Sequence, residues 1–248
     1  MRYFIEFAYC GTGYHGSQTQ PNGITVQQVM EEAFATILRV PVPLTFAGRT
    51  DAGVHAEMMV AHFDTEKAVP DNLVGRLNNL LPPDIAIRSI RRVRDDAHAR
   101  FDAVERTYRY RITYRKEPFT HTTQTRIGVI LDFTAMNTVT KRLLGQQDFA
   151  SFCRAHTDVK TTICDVKRAE WIVEDAEHAS FYISADRFLR NMVRAVVGTL
   201  FEVGKGRMTE DEFAAVIAAK DRCRAGHSAP AEGLSLIQII YPQNIYLT

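Results

Sequence analysis

Residues 43 to 63 read Pro43-Leu44-Thr45-Phe46-Ala47-Gly48-Arg49-Thr50-Asp51-Ala52-Gly53-Val54-His55-Ala56-Glu57-Met58-Met59-Val60-Ala61-His62-Phe63. Two short apolar runs, 43–47 and 58–63, flank a loop rich in glycine and alanine, so the reading is strand, tight loop, strand. Small residues at this density let a backbone turn sharply and let a large flat ligand come close. Asp51 sits in the middle of the loop, two residues after Arg49 and four before His55. There its side chain would be both exposed and rigidly placed. Turn chemistry offers a second explanation, because an aspartate near glycine often bonds its own backbone. His55 fits a structural role in the same loop, since a neutral ring serves a tight turn as well as it serves catalysis.

The elements on either side set the fold. Tyr3 to Tyr9 alternates, with Tyr3, Ile5, Phe7 and Tyr9 on one face of a first strand. A glycine-rich loop from Cys10 to Gln20 follows; it has no Gly-Lys-Ser/Thr and so is not a phosphate loop. Thr25-Val26-Gln27-Gln28 has the form of a capping box, and the helix after it carries Val26, Val29, Met30, Ala33, Phe34, Ile37 and Leu38 at helical spacing. A second helix is predicted over 71–81, stopped by Pro82-Pro83, and Ile85 begins another strand. Strand, helix, strand, strand, helix, strand is a ferredoxin-like unit, and it occupies residues 1–104.

A second half, 105–248, repeats the theme. Arg106 to Arg115 puts Tyr108, Tyr110, Ile112 and Tyr114 on one face and Arg109, Arg111, Thr113 and Arg115 on the other. Such a strand either packs a core with its tyrosines or offers a base-stacking ring beside phosphate-binding arginines. Helices are predicted over 134–144, ending at Gly145, and over 188–200, with Arg190 and Arg194 sharing one side of the second. Strands are predicted over 163–173 and 179–185. Thr209 to Glu212 is another capping box, opening a helix to about Lys220, and the chain ends in a strand reaching Tyr241. The class is α+β: two ferredoxin-like (RRM-like) halves.

Composition fits this without naming a function. The 248 residues are 46% hydrophobic and 24% charged, with a net charge of +1, ordinary values for a soluble globular chain. Charge is uneven, however. From Arg88 to Lys116, ten basic residues stand against four acidic ones, a local field suited to a polyanion on one face. The four cysteines are scattered, with no CxxC pair or zinc spacing, so reduced thiols are expected. No leader and no apolar run long enough to span a bilayer is visible. A cytoplasmic protein without a membrane partner is the expectation.

The string Gly48-Arg49-Thr50-Asp51-Ala52-Gly53-Val54-His55-Ala56 resembles the signature of the TruA-type tRNA pseudouridine synthases. His98-Ala99-Arg100-Phe101, the Arg106-Thr107-Tyr108-Arg109-Tyr110 segment, Asp148 to Phe152 and Met192-Val193-Arg194 resemble further segments of that family, in the same order. The resemblance implies Asp51 as the one catalytic carboxylate, Tyr108 against the target base and Arg194 paired with the carboxylate. It implies contacts to RNA from Arg49, with Arg109, Arg111 and Arg190 as further substrate-binding candidates. It also implies that the two sheets join into one mixed, mainly antiparallel sheet around a central cleft. The partners implied are the tRNA anticodon stem-loop, at positions 38, 39 or 40, and a second copy in a homodimer. The chemistry calls for no cofactor and no metal. The chain departs from the family at Cys10 (usually Asp), Ser17 (usually Trp) and Arg190-Asn191 (where histidines are common).

Two rivals remain at this point. A non-catalytic RNA-binding module of two RRM-like halves would show stacking aromatics on open strands. A carboxylate-dependent nucleoside hydrolase would cluster several acids, yet the acidic residue nearest Asp51 in sequence is Glu57.

Overall fold

The structure is a computed structural model that describes residues 1–66, 68–154 and 160–247. The chain forms two compact units, one of residues 1–104 together with those from 235 onward, the other of residues 105–234.

The first unit begins β1 (Arg2–Tyr9), α1 (Val26–Leu38), β2 (Thr45–Phe46), β3 (His55–Asp64), α2 (Leu73–Leu80) and β4 (Ile85–Val93). Strand β1 lies antiparallel between β4 and β3, and β2 adds antiparallel to β3. That is the predicted ferredoxin-like order. Thr25 caps α1 by accepting from Gln28 N at 3.3 Å. The Gln28 side chain does not reach back, however; it donates to Glu32 one turn on, so only half of the predicted box forms. Helix α1 buries Val26, Met30, Ala33 and Phe34, and Phe34 meets Phe63 of β3 edge-on at 5.2 Å. The run at 43–47 shortens to two strand residues, Thr45–Phe46. Helix α2 stops before Pro82-Pro83, with Leu81 extended, as a residue preceding proline prefers.

His62 of β3 is buried, and its Nδ1 accepts from Ala99 N at 3.2 Å. Its ring meets His98 at 4.6 Å. Burial first, then the positive charges of Arg2 and His98, push its pKa down to about 4, against the smaller opposing pull of Asp64 and Asp102. The folded state therefore holds His62 neutral where the unfolded chain, with an ordinary value near 6.5, takes up a proton. Stability from this group is full above about pH 6.5, declines as pH falls toward 4, and its loss is complete below that, up to about 3 kcal/mol. His62→Asn, whose amide oxygen takes the place of Nδ1, should flatten the dependence of the urea midpoint on pH across that window. An unchanged slope would assign it to other groups.

The second unit holds β5 (Glu105–Thr113), β6 (Thr125–Arg126), α3 (Phe133–Thr140), β7 (Gly145–Asp148), β8 (Ile163–Val173), β9 (His178–Ala185), α4 (Met192–Gly204) and α5 (Glu210–Ala219). The sheet order is β5-β9-β8-β7, antiparallel throughout, with β6 parallel beside β5. Trp171 and Phe181 pack with Phe201 of α4 in its core. Helix α5 opens on the predicted capping box, with both arms made between Thr209 and Glu212.

Two helices differ from expectation. The segment 134–144 is α-helical only to Thr140; Lys141–Leu143 tightens into a 3₁₀ turn, and Gly145, with φ +86°, begins β7. The segment 188–200 is shifted: α4 starts at Met192 and runs to Gly204. Asn191 adopts a left-handed conformation, φ 65°, which ends any helix from the amino side. Phe188 and Leu189 mimic a helical apolar face because the turn that carries them also packs inward.

The last strand, β10 (Leu234–Ile240), pairs parallel with β3 through Ser235 with His55 and Leu236 with Ala56. Val104 N donates to Ile240 O at 2.9 Å, and the Tyr241 hydroxyl donates to Ala99 O at 2.6 Å. Residues from 235 onward thus group with the first unit, whereas the division read from sequence extends the second half to 248. No helix among the described residues is long and apolar enough to cross a membrane.

Candidate active site

Asp51 lies where the sequence put it, in the connection from β2 to β3, half-exposed. The residues around it are pinned by main-chain bonds. Thr50 is buried; its N–H donates to Ser17 Oγ at 2.9 Å and its carbonyl accepts from Ser17 N at 3.2 Å. The Thr50 hydroxyl meets the Tyr9 hydroxyl at 2.8 Å. Beyond Asp51, Gly53 takes φ +78° and donates to Tyr14 O, while Val54 N donates to Asp51 O at 3.1 Å. His55 is buried, and its Nδ1 accepts from Gly11 N at 3.0 Å. That nitrogen serves the loop's own architecture, in keeping with a structural histidine.

The glycine-rich loop between β1 and α1 is the other wall of this arrangement. A Cβ at Gly11 would lie 2.0 Å from Val54 O, and one at Gly16, whose φ is +98°, would lie 2.9 Å from Thr50 O. The carbonyls of Gly16 and Ser17 in turn accept from Val26 N and Gln27 N at the start of α1. So β1, α1 and β3 all bear on the backbone that holds Asp51. Ser17, fully buried, accounts for one sequence departure: its oxygen accepts from Thr50 N, which a tryptophan, donor only, could not do. Cys10 turns its sulfur to the Thr12 hydroxyl at 3.4 Å. Arg49, next to Thr50, is exposed.

In the second unit, Tyr108 and Tyr110 lie on the face of β5 that α4 covers. Tyr108 is 9% exposed and meets Phe188 edge-on at 5.0 Å. Tyr110 is fully buried against Phe201, and its hydroxyl donates to Pro230 O at 2.9 Å. Burial raises its pKa above the ordinary tyrosine range, so it remains a donor. Arg109 and Arg111, half-buried, alternate to the opposite face, so the strand does not set them beside Tyr108. Arg194 sits in the first turn of α4. Its Nε donates to Ala229 O at 2.7 Å, and its own carbonyl accepts from Ala229 N at 2.9 Å. Tyr110 and Arg194 thus hold successive carbonyls, Pro230 and Ala229. Arg190 is exposed in the turn before α4 and does not share a helix side with Arg194.

Sequence reading missed Tyr9, Ser17 and Gly11 as supports of Asp51, and Ala229-Pro230 as the seat of Arg194. The density of Ala, Pro and Gly over 225–233 was the available signal. Among the described residues, no three His, Cys, Asp or Glu side chains converge as a metal site.

Comparison with known proteins bears on this arrangement. The family model described as tRNA pseudouridine synthase matches residues 6–102 and 139–242. The chain is 52% identical over 247 residues to the tRNA pseudouridine synthase A of Parabacteroides distasonis, covering 99% of this chain and 98% of that protein. It is 50% identical over 250 residues to the one from Porphyromonas gingivalis, with 99% of each covered. With the one from Geobacter sulfurreducens it shares 42% over 234 residues, covering 93% and 96%.

Proposed function

The chain belongs to the tRNA pseudouridine synthase family and is an isomerase acting on tRNA uridine, and from that premise we propose that its targets are anticodon stem-loop uridines at positions 38, 39 or 40 and that Asp51 is its catalytic carboxylate. The observation that carries the assignment is the pinning of the Asp51 loop by Ser17, Tyr9, Tyr14 and Gly11. A carboxylate that must meet one sugar atom gains most from being held before the substrate arrives.

The reaction breaks the C1′–N1 bond, turns the uracil, joins C5 to C1′ and releases the C5 proton. Nothing is oxidised and no group is donated, so no cofactor is required. Asp51 serves either as nucleophile at the sugar or as base at C2′; both routes need one ionised carboxylate. Arg194, oriented through Ala229, supplies the counter-charge. Tyr108, fixed by Phe188, is the ring that stacks on the uracil. Arg49, exposed beside Asp51, contacts the RNA or fills the space of the flipped nucleotide. Arg109, Arg111 and Arg190 contribute phosphate contacts. The enzyme works in the cytoplasm as a homodimer, with residues 1–104 carrying Asp51 and Arg49, and Tyr108 and Arg194 lying beyond residue 104.

The binding-module reading loses ground on one observation. Tyr110 is buried under α4, so β5 offers a base at most Tyr108 and not the row of open rings that such a module uses. The experiment is tritium release from tRNA carrying 5-tritiated uridine, with wild type and Asp51→Asn side by side. Release by the wild type alone is expected. Release by both would place the chemistry elsewhere, and silence from both with tRNA still bound would favour a binding module.

A further inference from the structure

The segment 225–230 is tied down at nearly every position. Arg222 Nη1 donates to Ala225 O and Gly226 O, and its Nη2 donates to Ser228 Oγ at 3.0 Å. Gly226 N donates to Thr199 Oγ1 of α4 at 2.9 Å. A Cβ at Gly198 would lie 1.7 Å from His227 O, so the helix and the segment touch backbone to backbone. The Asn191 side chain does not cap its own helix; its Nδ2 donates to Ser228 Oγ at 2.7 Å. The next residue, Ala229, makes the two-way clamp with Arg194.

From these contacts we infer that Asn191, Ser228 and Arg222 are positioning residues that set the direction of the Arg194 guanidinium by fixing the Ala229 carbonyl it donates to. The inference rests on the role proposed for Arg194. A guanidinium is a planar fork with five donors, so fixing Nε against a carbonyl fixes the plane and hence where both terminal nitrogens point. The Ala229 carbonyl can serve as that reference only if it is itself immobile. Ser228 Oγ accepts from both Asn191 and Arg222, joining the turn before α4 to the segment after α5. Asn191, one of the departures from the family's usual residues, is thereby given a purpose. Its left-handed backbone starts α4 and aims its amide at Ser228.

The test is single-turnover tritium release for Ser228→Ala, Ser228→Thr, Arg194→Lys and the double variant Ser228→Ala/Arg194→Lys. Ser228→Ala is expected to slow the chemical step roughly tenfold, the scale of a small misplacement of a reacting group. The tRNA concentration dependence and the melting temperature should stay near wild type. Ser228→Thr, which keeps the hydroxyl acceptor, should restore most of the rate. Lysine has no Nε to seat on Ala229, so Ser228→Ala should slow the Arg194→Lys enzyme no further. A further tenfold loss in the double variant, or an effect confined to melting temperature, would overturn the positioning role while leaving Arg194 in place. Unchanged chemistry in Arg194→Lys alone would remove the role of Arg194 and this inference with it.

Discussion

Asp51→Asn should lower the single-turnover rate of tritium release on the order of 10⁴-fold or more, the cost of removing a nucleophile or essential base. The substitution is nearly isosteric. The bonds that Thr50, Gly53 and the main chain of Asp51 make to hold the loop do not use the carboxylate and persist. Thermal stability should then move by no more than about 0.5 kcal/mol, as for other half-exposed polar changes. tRNA affinity should stay within about twofold, because phosphate contacts dominate it. The signature is loss of chemistry with fold and binding retained. A rate within a hundredfold of wild type would mean that another group supplies the carboxylate function.

A large loss of stability is expected from Gly11→Ala. The new methyl would sit 2.0 Å from the Val54 carbonyl oxygen, and that oxygen belongs to the backbone immediately before β3. Nothing flexible can swing aside. The loop 10–17 or the strand must move, and the Gly11 N–H bond to His55 moves with it. A cost on the order of 3 kcal/mol is expected for such a clash between fixed main chains. In a chain of this size that lowers the melting temperature by about 6–12 °C. Gly48→Ala is the internal contrast. A Cβ there meets nothing within 4 Å, so its melting curve should overlay the wild type, and any loss of activity would report an RNA that approaches the backbone closely. Equal melting temperatures for the two variants would show that the approach of Gly11 to Val54 is not required.

Much of this was legible because period and punctuation agree. β1 and β5 alternate, α1 and α5 announce themselves with threonine caps, and Pro82-Pro83 closes α2. The position of Asp51 between two strands followed from small residues flanked by apolar runs. What escaped reading was set by partners distant in sequence. By periodicity α4 begins at Phe188, because Phe188 and Leu189 are apolar, and only the left-handed Asn191 shows that they belong to a turn. The half-formed cap at Thr25 is similar, since Gln28 chose the i+4 partner Glu32 over the backbone behind it. The supports of Asp51 come from β1 and the loop after it, and no local pattern in 48–56 points to Ser17 or Gly11. The seat of Arg194 is a carbonyl at Ala229; the Ala, Pro and Gly around it mark a close backbone segment, but not which carbonyl the arginine takes.

The pairing of β10 with the first residues of β3 bears on the order in which the chain is made. Ser235 and Leu236 lie against His55 and Ala56, directly after the Asp51 loop. During translation the loop therefore waits until β10 is made before its flanking strand gains this neighbour. A nascent chain arrested before residue 234 would carry all of residues 48–56 with the start of β3 unpaired on that side. Contacts so distant in sequence also form late in folding. Activity then arrives only once β10 has been made, a property that a series of stalled chains of increasing length, assayed for tritium release, would display as a step near Leu236.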